Sequence, residues 1–447
     1  MKVQFFIPTL WVGLLVAGSA IAANPVSVLT LDEAKRIAVA QNPEIAAIEK
    51  AREESKMARK RVTSAFLPRL GLGAGIDNEL AQGGAGTSPL YFAYGQWNLF
   101  RGFQDSYQVK MADIEVDKRS LQYEKAKFRL GLDVEAQYYL YVFKTLAESL
   151  KNEAWDLNEK HKKLARIRKA SGLLSESDLM EYDLRDSLLQ SDIASLRQEE
   201  QQAKTALKTL MGSDPLHSDF KVEAKIGHWH VTEPLENLLT RAREENESVL
   251  VARKDLGIAE MESKQSNAKW WPEINLEAQA GKIPYADRYL SNETTFRGNI
   301  LARWELFSGF DTIWQKRESE LKRQKLEKQL KAAEVASISN TEIAWQRIKA
   351  IEARVHLEER NEVRAQKYYT TVINEYRRGV RNSTDVKVAA EALYDASLRR
   401  ESFKYEFLNE KILLERTLSG PVLMENKPEG EKSLKKDHPA IEGVLKS

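Results

Sequence analysis

The 447-residue sequence contains no cysteine, which excludes disulfide bonds, thiolate metal sites and a cysteine nucleophile. It also lacks an excess of either charge, because 68 Lys and Arg residues are balanced by 66 Asp and Glu residues. The resulting formal net charge of +2 gives no support for a nucleic-acid surface. Charged residues of both signs still make up 30 % of the chain, a composition typical of long, solvated helices.

Long apolar runs are also scarce, and the clearest one lies at the N-terminus. Lys2 precedes an apolar run from Phe5 to Val16, and the small residues Ala20 to Ala22 follow it. This pattern predicts a secretory signal peptide over residues 1–22, with a membrane-spanning anchor as the alternative. No later segment has the continuous apolar character of a transmembrane helix, so any membrane-spanning part would have to be a β-barrel.

The most informative pattern is an internal repeat. The segment Trp97 to Phe103 returns as Trp304 to Phe310, an offset of 207 positions. The segment Gly172 to Asp178 returns as Gly379 to Asp385 at the same offset. A period of this length indicates a duplicated half-molecule, because solenoid repeats are several times shorter.

The repeat divides the sequence into five parts. Residues 1–22 are the predicted signal peptide, residues 23–212 the first repeat and residues 234–420 the second. Residues 213–233 form an irregular connection between the two repeats. Residues 421–447 are charged and aperiodic, and they are predicted to be a disordered tail.

Hydrophobic periodicity predicts the same order of elements in each repeat: a helix, two strands and two long helices. The strand pairs are predicted at 69–100 and 272–307, with a glycine-rich loop at 81–88 in the first pair. The long helices follow at 102–210 and 309–418. Apolar residues recur every seven positions in parts of these helices, which favours a coiled coil over an ordinary amphipathic helix.

The last predicted strand has two chemically different faces. One face is apolar and consists of Phe296, Gly298, Ile300, Ala302, Trp304 and Leu306. The other face contains Arg297, Asn299, Arg303 and Glu305. These faces are typical of a strand between lipid and a water-filled lumen, and a soluble sheet packed on a core is the alternative.

Trp97 and Trp304 lie near equivalent strand ends, where a membrane protein carries its belt of interfacial aromatic residues. Four strands cannot close a barrel, and an open strand edge is not tolerated in lipid. Several copies of the chain would therefore have to share one barrel. The charged inner face favours twelve strands from three chains over eight strands from two, because only the wider barrel leaves a channel.

The order of helix, strand pair, very long helix, glycine turn and helix, given twice, resembles the TolC family of bacterial outer-membrane channels. The resemblance covers about residues 29–420. The residues that carry it are Trp97 to Phe103, Trp304 to Phe310, Gly172 to Asp178, Gly379 to Asp385, and Leu210 to Gly212.

This resemblance implies a mainly α-helical homotrimer with a twelve-stranded transmembrane β-barrel in outer-membrane lipid and a coiled-coil α-barrel in the periplasm. A mixed equatorial belt is expected from residues near 213–233 and from the C-terminal end of the ordered chain. The implied function is a passive export channel with no cofactor and no enzyme activity. The implied partners are a periplasmic adaptor and an inner-membrane transporter of the resistance-nodulation-division or ABC class, as in efflux or type I secretion.

The resemblance also implies a gate at the periplasmic tip, where the glycine turns Gly172 and Gly379 would lie. The matching gate residues are Asp178, Tyr376, Arg381 and Asp385. An Asp178–Arg381 ion pair is expected, with the Tyr376 hydroxyl donating to the same carboxylate. The alternative is that both aspartates only stabilise helix N-termini. Val388 stands where several family members have a second aspartate, so only Asp385 is available for an acidic ring.

Other groups of residues in the sequence do not predict a metal-binding or catalytic site. His217, His228 and His230 are interpreted as surface histidines, since no cysteine or helical histidine pair accompanies them to bind a metal. No nucleophile–base pair or phosphate-binding loop predicts an enzyme. A secreted, soluble coiled-coil adaptor or scaffold is the competing hypothesis. It accounts for the signal peptide and the heptads but not for the two-faced strands.

Overall fold

The computed structural model of the protein describes residues 27–81, 84–212, 220–227, 229–282 and 295–426. The predicted signal peptide, His217, His228 and residues 427–447 of the predicted tail lie outside the described residues.

Helices and strands follow one another in the predicted order in both repeats. The first repeat contains β1 (Ser27–Val28), α1 (Leu31–Gln41), α2 (Pro43–Thr63), β2 (Arg69–Ala81), β3 (Gly84–Arg101), α3 (Gln104–Ala170) and α4 (Glu176–Leu210). The connection and second repeat contain β4 (Phe220–Lys221), β5 (Trp229–Val231), α5 (Leu235–Glu245), α6 (Glu247–Gln265), β6 (Glu273–Lys282), β7 (Thr295–Arg303), α7 (Asp311–Arg377), α8 (Ser383–Leu418) and β8 (Met424–Asn426). Helices α3 and α7 each have 67 residues, about 100 Å at 1.5 Å per residue.

Each repeat begins with two helices, where periodicity alone predicts one helix over 30–66 and one over 235–269. Thr30 caps α1, and its hydroxyl accepts a hydrogen bond from the Glu33 backbone N–H at 3.3 Å. Asn42 and Asn246 interrupt the predicted helices, because each asparagine side chain accepts hydrogen bonds from two backbone N–H groups of the next helix. The prediction of one continuous helix was wrong because these caps compete with the helical backbone pattern.

The same two asparagines fasten the short helices to the ends of the long ones. The Asn42 side chain donates to the Leu210 carbonyl oxygen at 3.0 Å, at the end of α4. The Asn246 side chain donates to the Thr417 carbonyl oxygen at 2.5 Å, near the end of α8. Each bond satisfies a helix-terminal carbonyl that has no partner within its own helix. The beginning and end of each repeat therefore meet in the same way.

Strands β2, β3, β6 and β7 form one antiparallel sheet in that order, with β2 and β7 at its edges. The first strand pair is longer than predicted and leaves only residues 82–83 between β2 and β3, so the predicted loop at 81–88 was wrong. Strand β7 ends at Arg303, and Trp304 and Glu305 lie beyond it. The alternation of apolar and polar residues in the sequence therefore continues beyond Arg303, the last residue that pairs with β6.

The repeated tryptophan–glycine–phenylalanine motif forms the corner between the sheet and each long helix. Gly102 and Phe103 have φ angles of 58° and 67°, and Gly309 and Phe310 have φ angles of 63° and 69°. Two consecutive left-handed residues reverse the backbone curvature, so that the helix begins at once. A Cβ on Gly102 would lie 2.2 Å from the Ala268 carbonyl oxygen, which makes glycine obligatory at that corner.

Short strands from distant parts of the chain pair with the connection between the repeats, where an equatorial belt is expected. Strand β1 pairs in parallel with β4, and β5 pairs antiparallel with β8. His230 in β5 lies 3.8 Å from Glu425 in β8. The predicted tail was therefore placed too early, since residues 424–426 are paired with the connection between the repeats.

A group of charged side chains is buried where α1, α3 and α8 meet. The Glu135 carboxylate accepts from Lys35 at 2.5 Å and from Lys411 at 2.7 Å, and Lys411 also contacts Glu415 at 2.8 Å. Burial alone would raise the pKa of Glu135, but the ammonium groups of Lys411 and Lys35 outweigh it and hold the pKa below its usual value. Burial raises the pKa of Glu415 despite Lys411. The first repeat is thus tied to the second by compensated buried charge.

Replacing Glu135→Gln should lower the free energy of unfolding by about 3 kcal/mol, because Lys411 would lose one of two buried carboxylates. Denaturant unfolding of the full-length protein would measure the change. The matched control is Asp133→Asn, two residues earlier in α3, whose partner Arg416 is exposed. The control substitution should lower the free energy of unfolding by at most about 1 kcal/mol. Equal costs for the two variants would contradict a special role for the buried group.

Candidate functional site: the helical tip

Both long helices end in the same glycine turn. Gly172 and Gly379 have φ angles of 72° and 82°, conformations that favour glycine. In each turn the glycine N–H and the next N–H donate back to carbonyls of the preceding helix at 2.9–3.0 Å. This Schellman arrangement satisfies helix-end carbonyls and reverses the chain. The predicted tip turns thus have one geometry in both repeats.

Three positions after each glycine, an N-cap residue starts a capping box, and the next helix begins one residue later. The Ser175 hydroxyl accepts from the Asp178 backbone N–H, and the Asp178 carboxylate accepts from the Ser175 backbone N–H, both at 3.2 Å. Asn382 and Asp385 make the same reciprocal pair at 2.9 and 3.3 Å. Hydrogen bonds from Ser175 hold the pKa of Asp178 below its usual value. The capping role considered for the two aspartates is therefore present.

The ion pair expected between Asp178 and Arg381 is not formed within the chain. The Arg381 guanidinium lies 3.0 Å from Glu375 and 3.8 Å from Asp385, both in its own hairpin. The Tyr376 hydroxyl is buried, and among the described residues it has no hydrogen-bond partner. The structure therefore brings Arg381 to Asp385 but not to Asp178, and it does not bring the Tyr376 hydroxyl to a carboxylate.

Polar side chains join the first hairpin (α3 and α4) to the second hairpin (α7 and α8) near the tip. The Ser383 hydroxyl donates to the Asp178 carboxylate at 3.4 Å. The next bridges, one turn apart along α4 and α8, join Glu181 to Lys387 and Arg185 to Glu391. Long flexible side chains hold these helices together, which leaves the seam weaker than an apolar core.

Helices α3 and α7 are joined by two contacts one heptad apart. His161 Nε2 lies 3.0 Å from the Tyr369 hydroxyl. Arg168 donates to the Tyr376 carbonyl oxygen at 2.6 Å, and its guanidinium carbon lies 4.0 Å from the centre of the Tyr376 ring. The sequence did not predict these contacts of Arg168 and His161. A single basic residue in a helix rich in charge does not indicate which residue it will contact.

A cavity of about 410 Å³ lies between the two hairpins above the bridges. Its lining includes Leu150, Leu157, Tyr182, Leu393 and Tyr394. Burial raises the pKa of Tyr182 well above its usual value. The hairpins are thus incompletely packed between the tip and the buried charges of α3 and α8.

Of the residues proposed for the last strand, Arg297, Asn299 and Arg303 lie in β7, whereas Trp304 and Glu305 lie beyond its last residue. Arg297, Asn299 and Arg303 share one face of β7. Trp97 is partly exposed and donates from its indole N–H to the Phe66 carbonyl oxygen at 2.9 Å, while Trp304 is exposed. Within the described ranges, no helix has the length and apolar composition needed to cross a membrane. The described residues also contain no cluster of His, Asp and Glu suited to a metal ion.

A family comparison matches the second repeat. Residues 238–420 fit the family model described as outer membrane efflux protein. This region is therefore similar to the outer membrane efflux protein family. The resemblance inferred from the sequence is thereby confirmed, and the match runs from within α5 to the end of α8, including the second glycine turn and the predicted gate positions of that repeat. No curated protein matches the sequence.

Solved outer-membrane proteins share the fold over most of the chain. The outer membrane protein VceC from Vibrio cholerae has a TM-score of 0.73 at 16 % identity, covering 88 % of this chain and 96 % of its own. The Campylobacter jejuni CmeC outer membrane channel has a TM-score of 0.74 at 13 % identity, covering 97 % of both chains. The Neisseria gonorrhoeae MtrE outer membrane channel, in its open state, has a TM-score of 0.70 at 16 % identity, covering 87 % and 89 %. These likenesses show that both repeats share the fold of these outer-membrane proteins.

The stability of the tip should depend on pH through His161. Burial, reinforced by Arg185, Arg377 and Lys160, lowers the pKa of His161 from 6.5 to about 4. The folded state therefore favours the neutral ring. The folding stability that depends on this neutral ring is complete above pH 6.5 and is lost as the pH falls through 4. We expect the wild type to lose up to about 3 kcal/mol more than His161→Gln across this window.

Melting curves of both proteins between pH 7 and 4 would measure this difference. The control is His356→Gln, which changes a more exposed histidine of α7. If His161→Gln and the wild type lose stability in parallel, the buried imidazole does not titrate with the fold.

Proposed function

We propose that the protein is a trimeric outer-membrane channel that exports substrates passively from the periplasm, or from an inner-membrane pump, to the exterior. The observation that carries this proposal is the four-stranded sheet with two free edges and an exposed apolar face. Leu70, Leu72, Phe296 and Ile300 are each at least 70 % exposed in the single chain. Apolar exposure on this scale indicates a surface that is covered by lipid or by another chain.

The direction of the edge strands supports closure between copies. Strands β2 and β7 run in opposite directions, because three antiparallel pairings separate them. When β7 of one copy pairs with β2 of the next, the antiparallel pattern continues around the ring. Three copies would then form a barrel of twelve strands, wide enough for a lumen lined by Arg297, Asn299 and Arg303. No specific observation favours the soluble scaffold, which would leave the apolar face in water.

The helices would form the periplasmic part of the channel. Two 67-residue helices per chain, each about 100 Å long, give the reach of a tunnel below the membrane. A periplasmic adaptor and an inner-membrane transporter of the resistance-nodulation-division or ABC class would supply docking and energy, because nothing in the described residues supplies either. Cell fractionation tests the proposal: recovery of the mature protein in the aqueous periplasmic fraction would contradict it.

The two faces of β7 give a sharper test. Ile300→Arg would place a charge on the proposed lipid face, at a cost of about 2–4 kcal/mol near the bilayer centre. We expect it to reduce the yield of heat-modifiable, detergent-extracted trimer. The matched control is Asn299→Arg, the neighbouring residue on the proposed lumen face, which should assemble normally. Equal assembly of both variants would argue against a lipid-facing side.

We also propose that Asp178, Arg381 and Tyr376 form a latch that closes the tip, with Asp385 beside it. Asp178 is suited to this role because its carboxylate already accepts a hydrogen bond from Ser383 of α8. Arg381 supports it because it is half exposed, and its links to Glu375 and Asp385 are open to solvent. Exposed links of this kind contribute roughly 0–1 kcal/mol each, which suits a closure that must be released.

Arg381→Ser or Asp178→Asn should therefore increase single-channel conductance in planar bilayers, with the open fraction rising up to about fivefold per link. Arg378→Ser is the control for Arg381, since it removes an exposed arginine of the same turn. Ser175→Ala is the control for Asp178, because it removes the N-cap acceptor and keeps the carboxylate. If Ser175→Ala reproduces the effect of Asp178→Asn, the aspartate acts only as a cap.

A further inference from the structure

Arg168 holds both the ring and the backbone of Tyr376. Its guanidinium carbon lies 4.0 Å from the ring centre, and one of its N–H groups donates to the Tyr376 carbonyl oxygen at 2.6 Å. That carbonyl is one of the last of α7, where the helix dipole favours a cation. A planar guanidinium can stack on a ring and donate in its own plane at once, which an ammonium group cannot.

Tyr376 is deeply buried at this contact. Only 2 % of the residue is exposed, and its ring packs in a small core with Val372, Val386 and Ala389. The buried members of this core lie on α7 and α8, and Leu164 and Arg168 of α3 pack against it from the first hairpin. Burial shields the contact between guanidinium and ring from water and strengthens it relative to an exposed pair.

The groups of Tyr376 are used differently in the structure. Its ring is held by Arg168, while its buried hydroxyl has no partner among the described residues. Arg381 is at the same time bound to Glu375 and Asp385. Within the single chain, the Arg168 contact is therefore formed while the Asp178–Arg381 pair proposed for the latch is not.

We propose that Arg168 is a positioning residue that competes with the latch: its clasp on Tyr376 draws the second hairpin toward the first and holds the tip in the unlatched arrangement. The inference rests on the proposed function, since it assigns a regulator to the same gate. The clasp lies within one chain and acts between its two hairpins. Each of three copies would carry its own clasp, so opening would be favoured at three places around the axis.

The clasp and the latch should act in opposite directions on the channel. Loss of the clasp frees Tyr376 for the latch and favours closure, whereas loss of Arg381 favours opening. A cation–π contact with a charged hydrogen bond of this burial corresponds to about a tenfold change in the ratio of open to closed tips.

The test uses the full-length trimer in planar bilayers, with trimer assembly checked first in detergent. Arg168→Ala should lower the open-to-closed ratio about tenfold. Arg168→Lys, which keeps the charge and is a milder change, should lower it to a smaller extent. The matched control Lys169→Ala removes the neighbouring exposed cation, whose ion pair among the described residues is with Glu176 across the turn. It should leave the ratio unchanged.

Tyr376→Phe separates the two roles of the tyrosine. It keeps the ring and the carbonyl for the clasp and removes the hydroxyl that the latch requires, so it should raise the ratio. Arg168→Ala in an Arg381→Ser background should have little effect, because the latch that the clasp opposes is already absent.

An unchanged or increased ratio in both Arg168→Ala and Arg168→Lys would overturn the clasp. If the alanine variant does not assemble, the lysine variant and Tyr376→Phe decide the matter alone. The proposed function fails in a distinguishable way: the wild-type trimer would then give no conductance at all.

Discussion

The corner at which each strand becomes a long helix is the constraint on which the rest of the architecture depends. Two consecutive residues with positive φ, a glycine and a phenylalanine, turn β3 into α3, and the same pair precedes α7. The phenylalanine packs edge-on against the aromatic ring three positions earlier in both copies, at 5.2 and 5.4 Å. This packing offsets the strain of a non-glycine residue in the left-handed region. Because the backbone of the corner is fixed, the direction of each long helix relative to the sheet is fixed as well.

The duplication lets each repeat organise its long helices in the same way. Each repeat satisfies its helix ends with the same devices: a glycine turn, a capping box, and an asparagine that binds a terminal carbonyl of its own repeat. The halves are then joined by buried charge around Glu135 and by the shared sheet. Neither half can close the sheet, because β2 and β7 remain free edges even after the halves combine.

Symmetry is lost at the tip, and the proposed gate depends on that loss. The turns Gly172 and Gly379 have the same backbone, and Asp178 and Asp385 have the same capping role. Only the second copy carries a buried tyrosine before its turn and an arginine after it. Arg168 of the first copy meets that tyrosine, so the two halves become different partners of one contact. A duplicated structure can acquire a movable part in this way without a change of fold.

The sequence determined the order of elements, the duplication, the length of α3 and α7, and the two faces of β7, because each is a local periodic pattern. It did not determine the asparagine breaks at Asn42 and Asn246 or the strand through residues 424–426, since a cap or a paired strand is decided by distant partners. The positions of Tyr376, Arg381 and Asp178 could be named from the sequence, but their partners could not. Arg168 lies 208 positions from Tyr376, and only the packing of α3 on α7 brings a guanidinium over that ring.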